Sequence, residues 1–122
     1  MKKTWDMARR NLILCLDLLK EELSNKELEE GVEVRITFNR DYSFKATTTK
    51  TQKFAYCKTT DRGYVCESTG RKYILDDTTA FMTKVDPCVD RVMLQIVENG
   101  GPCSFNVDLR AKEHHIIQFK VR

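Results

Sequence analysis

The side chains able to do chemistry here are five cysteines, two histidines and a set of lysines, arginines and tyrosines clustered in the middle of the chain. Cys57 and Cys66 flank an Asp61-Arg62 turn. If Thr59 pairs with Tyr64 across that turn, the two cysteines stand directly opposite each other. Opposed positions of the non-hydrogen-bonded kind have Cβ separations that a disulfide can span, so Cys57 and Cys66 are the candidate bridge. Cys15 falls on an apolar helical stripe and reads as a small core residue. Cys88 and Cys103 form a second candidate pair, although the strand register below points Cys103 at Ile96. An odd number of cysteines fits a reducing compartment or one leftover thiol. No Cys/His spacing suggests zinc, so no metal site is expected.

His114 and His115 are adjacent, and adjacent residues on an extended chain point to opposite faces. They make a poor chelate, and His114 reads as an exposed turn residue. There is no Gly-x-Ser-x-Gly and no Cys with a credible His/Asn arrangement. Asp76-Asp77 and Asp86/Asp90 lack metal-loop spacing. Asn99-Gly100-Gly101 precedes a proline and a strand, where a phosphate cradle would need a helix. No catalytic residue and no cofactor is expected.

Lys45, Lys53, Lys58, Arg62, Arg71 and Lys72 recur along neighbouring segments, with Tyr56 and Tyr64 among them. Residues 31–75 hold nine Lys/Arg against four Asp/Glu, whereas the stretches before and after are slightly acidic. A basic sheet with interleaved aromatics can hold single strands by stacking and phosphate contact. The plain alternative is a solvated face whose tyrosines root in the core. Motifs of the ribonucleoprotein type are absent.

These groups must be positioned by a helix and a set of strands. Thr4 caps a helix from Trp5 to about Leu23, whose Trp5, Ala8, Leu12, Cys15, Leu16, Leu19 and Leu23 form one stripe. Met7, Leu14 and Leu18 widen it beyond what one sheet contact needs, which points to deep burial, with a partner surface as the alternative. Ser24 and Glu27 spell a capping box for a short second helix that Gly31 stops. Val32–Phe38 alternates as a strand. A three-residue loop at Asn39-Arg40-Asp41 sets Phe44 against Ile36 and Ala46 against Val34. Lys53–Thr59 and Tyr64–Ser68 form the next hairpin, and Arg71–Leu75 a further strand. Residues 76–86 fit a helix or a strand edge, ended by Pro87.

From Arg91 to Arg122 the alternation predicts three antiparallel strands. Asn99-Gly100 supplies a type I′ turn. Leu94 then faces Phe105, Val92 faces Val107, and Arg91 pairs with Asp108. Lys112-Glu113-His114 turns the chain again and sets Leu109 against Ile117 and Val107 against Phe119. Phe105→Ala should cost ~3–5 kcal/mol as a buried aromatic.

The chain has 122 residues, is 41% hydrophobic and 32% charged, and carries a net charge of +3. That suits one domain over 1–122, helical over 1–30 and sheet over 31–122. The net charge is too small to imply nucleic acid by itself. No apolar run reaches membrane length, and Asp17 breaks the only segment that mimics a signal peptide. A cytoplasmic protein is expected if Met1 is the native start, and an extracellular one if disulfides are present.

The expected fold is α+β: an amphipathic N-terminal helix packed on a strongly curved antiparallel meander. The sheet either curls around the helix, as in cystatin-like grips, or closes into a small up-and-down barrel with the helix as lid, as in calycins. That comparison concerns architecture only, and the Gln-x-Val-x-Gly of the cystatins is absent. The expected function is a non-enzymatic binding domain for a protein partner or a small apolar ligand. The alternative is nucleic-acid binding through residues 45–72. An apolar internal cavity of several hundred Å³ would favour the small ligand.

Overall fold

The computed structural model describes residues 2–76, 87–112 and 115–121, with side chains for 5–75 and 89–112. Helix α1 spans Lys2–Glu22 and α2 spans Asn25–Glu30. Five strands follow: β1 Val32–Phe38, β2 Phe44–Thr48, β3 Phe54–Thr60, β4 Gly63–Ser68 and β5 Lys72–Asp76. Helix α3 spans Pro87–Glu98, and β6 (Cys103–Lys112) and β7 (His115–Val121) complete the described chain. The segment of ambiguous helix-or-strand character lies, apart from Asp76 at the end of β5, outside the described residues.

The strands form one seven-stranded sheet in the order β5-β4-β3-β2-β1-β6-β7, with every neighbouring pair antiparallel. It ends in two edges, β5 and β7, and so does not close into a barrel. Helix α1 lies across β2, β3 and β4, α2 lies against β6, and α3 touches α1 and β7. The core fills the space between sheet and helices. Ala8, Leu12, Cys15, Leu16 and Leu19 of α1 are buried against Val34, Ile36, Phe44, Ala46, Cys57, Val107 and Leu109. Leu14 and Leu18 are buried too, so the broad apolar stripe of α1 goes into the core.

Local chemistry explains the N-terminal half. The Ser24 hydroxyl accepts from the Glu27 N–H, and the Glu27 carboxylate accepts from the Ser24 N–H, both at 3.1 Å. This capping box satisfies two helix-end donors at once. Gly31 then leaves the helix at φ +95°, a conformation unfavourable for other residues. The β1–β2 register is Phe38–Phe44 and Ile36–Ala46, two residues off the expected pairing. The connection runs through Asn39–Ser43, five residues rather than three. Asp41 stabilises it by accepting from the Ser43 N–H at 3.1 Å, an Asx-type turn. A shift of two preserves the faces, so the core assignment survives it.

The stretch from Arg91 to Glu98 is a helix, which corrects the expected three-stranded meander. Val89, Val92, Met93 and Ile96 are buried, at steps of three and four. Leu94 is 61% exposed and Val97 57% exposed. Val92 and Ile96 are four apart, a spacing that both a strand and a helix place on one face. Met93 and Leu94 separate the two cases, and packing selects Met93. Pro87 opens this helix, where its missing N–H costs nothing. Asn99-Gly100 closes it: Gly101 N–H donates to the Ile96 carbonyl and Gly100 N–H to that of Val97, a Schellman arrangement with Gly100 at φ +80°. Arg91 therefore lies on α3, and Asp108 stands between Glu33 and Lys120 in the sheet instead.

Phe105 lies on the core side of β6 but is only partly buried. Its truncation should accordingly cost less than full burial implies. The β6–β7 register sets Leu109 against Phe119 and Val107 against Val121, two off the expected pairing: one residue from the pairing of Lys112 with His115, and one from the irregularity at Arg110/Ala111. The packing of α3 makes a sharp prediction. Ile96→Ala should cost ~2–4 kcal/mol, and Leu94→Ala at most ~0.5 kcal/mol, in urea titrations. Equal losses would show that the two residues share a face after all.

Candidate recognition face and thiol cluster

The three described helices all bury side chains in one core cluster on one side of the sheet, and none of them covers the other side. Strand register builds that outer face row by row. One row runs Lys72, Glu67, Tyr56, Lys45, Thr37, Ser104. The next carries Ile74, Val65 and Lys58. On the other flank lie Phe54, Thr47, Arg35 and Asn106. Phe54, Tyr56 and Val65 are half-buried by their neighbours, and Ile74 is 67% exposed. The Lys45 ammonium sits 5.6 Å above the Phe54 ring, a cation–π contact worth ~0.5–1 kcal/mol at an exposed site. The surface is thus an apolar and aromatic strip across β3, β4 and β5 with basic residues around it.

The eight residues singled out for a basic face separate into groups. Lys45, Tyr56, Lys58 and Lys72 share the outer face. Tyr64 is 1% exposed and belongs to the core. Lys53 turns to α2, with its ammonium 3.2 Å from the Glu27 carboxylate. Arg71 is paired with Glu21 of α1, and Lys58 reaches Asp41 at 3.5 Å. Arg62 is exposed at the β3–β4 turn. Alternation along β1 already puts Arg35 on the solvent face, whereas sequence reasoning missed Phe54, Val65 and Ile74 there. Their signal was parity: Phe54, Tyr56 and Lys58 alternate with Ala55 and Cys57, which are buried.

Two carboxylates that pair with these lysines are fixed by local hydrogen bonds, Asp41 in the β1–β2 loop and Glu27 on α2. Hydrogen bonds from Ser43, helped by Lys58, hold the Asp41 carboxyl below its ordinary range. The Ser24 N–H, followed by Lys53, does the same for Glu27. Both partners therefore stay ionised at neutral pH, and their lysines are partly neutralised. Such exposed pairs each stabilise by well under 1 kcal/mol.

Behind the face, Cys57 and Cys66 pair in register and are fully buried. Their sulfurs are 3.1 Å apart, and both are free thiols, so the expected cross-strand position is occupied without a bond. Asn11, also fully buried, ties α1 to this cluster. Its amide nitrogen donates to the Tyr42 carbonyl at 2.9 Å. Its oxygen accepts from the Thr59 hydroxyl at 3.0 Å and the Cys57 thiol at 3.5 Å. The Cys15 thiol donates to the Ala55 carbonyl at 3.3 Å, and burial pushes its pKa up. The side chains of Cys88, His114 and His115 lie outside the described residues, as does the Cys88–Cys103 pairing.

A cleft of about 500 Å³ opens between α2, β1 and β6, lined by Glu27, Glu30, Glu33, Lys50, Asp108 and Arg110 among others. Its charged walls are unlike the apolar interior that a lipid-carrying barrel requires. Among the described residues there is no cluster of His, Cys, Asp and Glu able to hold a metal ion, and no helix long and apolar enough to cross a membrane. Comparison with family models, curated proteins and solved structures finds no match for this chain.

Proposed function

We propose that the chain is a non-enzymatic binding domain that recognises a protein partner through the uncovered face of its sheet. The supporting observation is the strip Phe54, Tyr56, Val65 and Ile74, which shares a face that none of the described helices covers. Apolar and aromatic side chains held on a rigid sheet suit the centre of a protein interface, and the lysines around them suit its polar rim. Neutralisation of Lys53, Lys58 and Arg71 by carboxylates weakens the case for a polyanion. An open sheet and a charged cleft likewise give little room to an enclosed apolar ligand.

Nucleic-acid binding is the second reading. It is favoured by Arg35, Lys45 and Lys72, which stand around Tyr56 and Phe54 with no carboxylate within ion-pair distance among the described residues. Three phosphate contacts on a single strand give a log–log salt slope of about −2.

A photoreactive benzophenone side chain placed at Val65, and at Glu29 on α2 as a control, tests the choice in the native cells. Protein adducts specific to position 65 are expected. Nuclease-sensitive adducts there would favour the second reading, and equal yields from both positions would sink the assignment of the face.

A further inference from the structure

We propose that Cys57 and Cys66 are a redox-active pair, held reduced in the folded chain and closed to a disulfide in place by hydrogen peroxide. The pair is built by the register of β3 and β4, which sets the two residues directly opposite. Their sulfurs, 3.1 Å apart, need only ~1 Å of approach to reach a bonded S–S distance. Small rotations of the two side chains supply that, with the backbone pairing kept. Nearby alternatives are occupied. Cys15 is turned to the Ala55 carbonyl. Asn11 accepts from the Thr59 hydroxyl at 3.0 Å and from the Cys57 thiol at 3.5 Å, and in the contact between the two sulfurs either thiol can be the donor.

The chemistry balances with peroxide as the two-electron oxidant. The Cys66 sulfur attacks one peroxide oxygen, the O–O bond breaks, and the departing hydroxide takes up a proton as water. Cys66 is then a sulfenic acid. The Cys57 sulfur attacks the Cys66 sulfur, the S–O bond breaks, and the leaving hydroxide takes the Cys57 proton as a second water. Two thiols have lost two electrons and two protons, and one peroxide has become two waters. The contact with the Cys57 thiol favours ionisation of Cys66 and burial opposes it, and the same steps balance with the two cysteines exchanged. Because both cysteines are fully buried, peroxide reaches them only through openings of the hairpin, and closure should be slow.

This inference does not depend on what the sheet face binds. It does join the two, because Tyr56, Lys58, Val65 and Glu67 are the chain neighbours of these cysteines on the opposite side of the same strands.

The test treats the folded full-length chain with hydrogen peroxide, quenches with catalase, and blocks remaining thiols with N-ethylmaleimide in denaturant. Trypsin cuts after Lys53, Lys58, Arg62 and Arg71, so the cysteines fall on separate peptides, Phe54–Lys58 and Gly63–Arg71. Mass spectrometry should find these two joined, with the blocked thiols falling from five to three. Cys15→Ala should leave that link intact. In Cys57→Ser, checked for folding by circular dichroism, dimedone should trap a sulfenic acid on Cys66. Five thiols remaining after prolonged peroxide, a link from either cysteine to Cys15, or only intermolecular links would each overturn the proposal. The wild-type peptide map decides even if the serine variant fails to fold.

Discussion

Phe44→Ala will destabilise the fold by ~3–5 kcal/mol. Phe44 opens β2 in the middle of the sheet, between Phe38 on β1 and Cys57 on β3, and is fully buried. Its ring centroid lies 4.9 Å from that of Phe38 in a tilted arrangement, and Phe38 in turn meets Tyr42 at 6.0 Å. Each such contact adds ~0.5–1.5 kcal/mol beyond the area buried. The cavity left by alanine would be walled by two hydrogen-bonded strands and by α1, none of which can collapse without losing other contacts. That rigidity places the cost in the upper range. Truncating Phe54, half-buried on the outer face of the adjacent strand, should cost clearly less. Urea titrations of the two variants measure the difference, with an unchanged slope showing that the denatured state is the same. A Phe44→Ala loss below 1.5 kcal/mol would mean that the ring is not in the core.

The elements legible in the sequence are those whose cause is local. The leucine stripe of α1, the Ser24/Glu27 capping box and the alternation of Val32–Phe38 each follow from residues a few positions apart. The β3–β4 hairpin was legible for the same reason: a two-residue turn fixes every pairing after it, including Cys57 with Cys66. Helix α3 was misread because Val92 and Ile96 satisfy both periods, and because proline and glycine were taken as end and turn. They are the start and the C-terminal cap of a helix. The β1–β2 pairing slipped by two because the Asp41 turn lengthens the loop, which alternation alone does not reveal.

The candidate face was only half legible. Charge identified Lys45, Lys58 and Lys72, but the partners of Lys53 and Arg71 are carboxylates on helices distant in sequence. Tyr64 and Tyr56 look alike in the sequence, yet strand parity sends one into the core and leaves the other outside. Only the assembled sheet shows that the apolar members of the outer face come from three adjacent strands.

Asn11→Leu will cost ~2–4 kcal/mol, although it places a larger hydrophobe at a fully buried helical position. Judged by α1 alone, leucine there extends the stripe and should stabilise. The bonds of Asn11 reverse that sign. Its amide supplies the donor for the Tyr42 carbonyl, at a residue held at φ +66° in the tightest part of the β1–β2 loop. Its oxygen serves the Thr59 hydroxyl, two residues from Cys57 on the strand beneath. Leucine would leave both groups without their Asn11 partner in a partly buried site, at ~1–3 kcal/mol each, and the gain in apolar area offsets only part of that. Asn11→Ala, which opens room for water, should cost less than its lost contacts suggest, since water can bridge polar groups in a space large enough to hold it. The leucine variant is therefore expected to be the less stable of the two by denaturant titration. The opposite order would show that packing, and not the hydrogen bonds to the loop and to β3, keeps asparagine at this position.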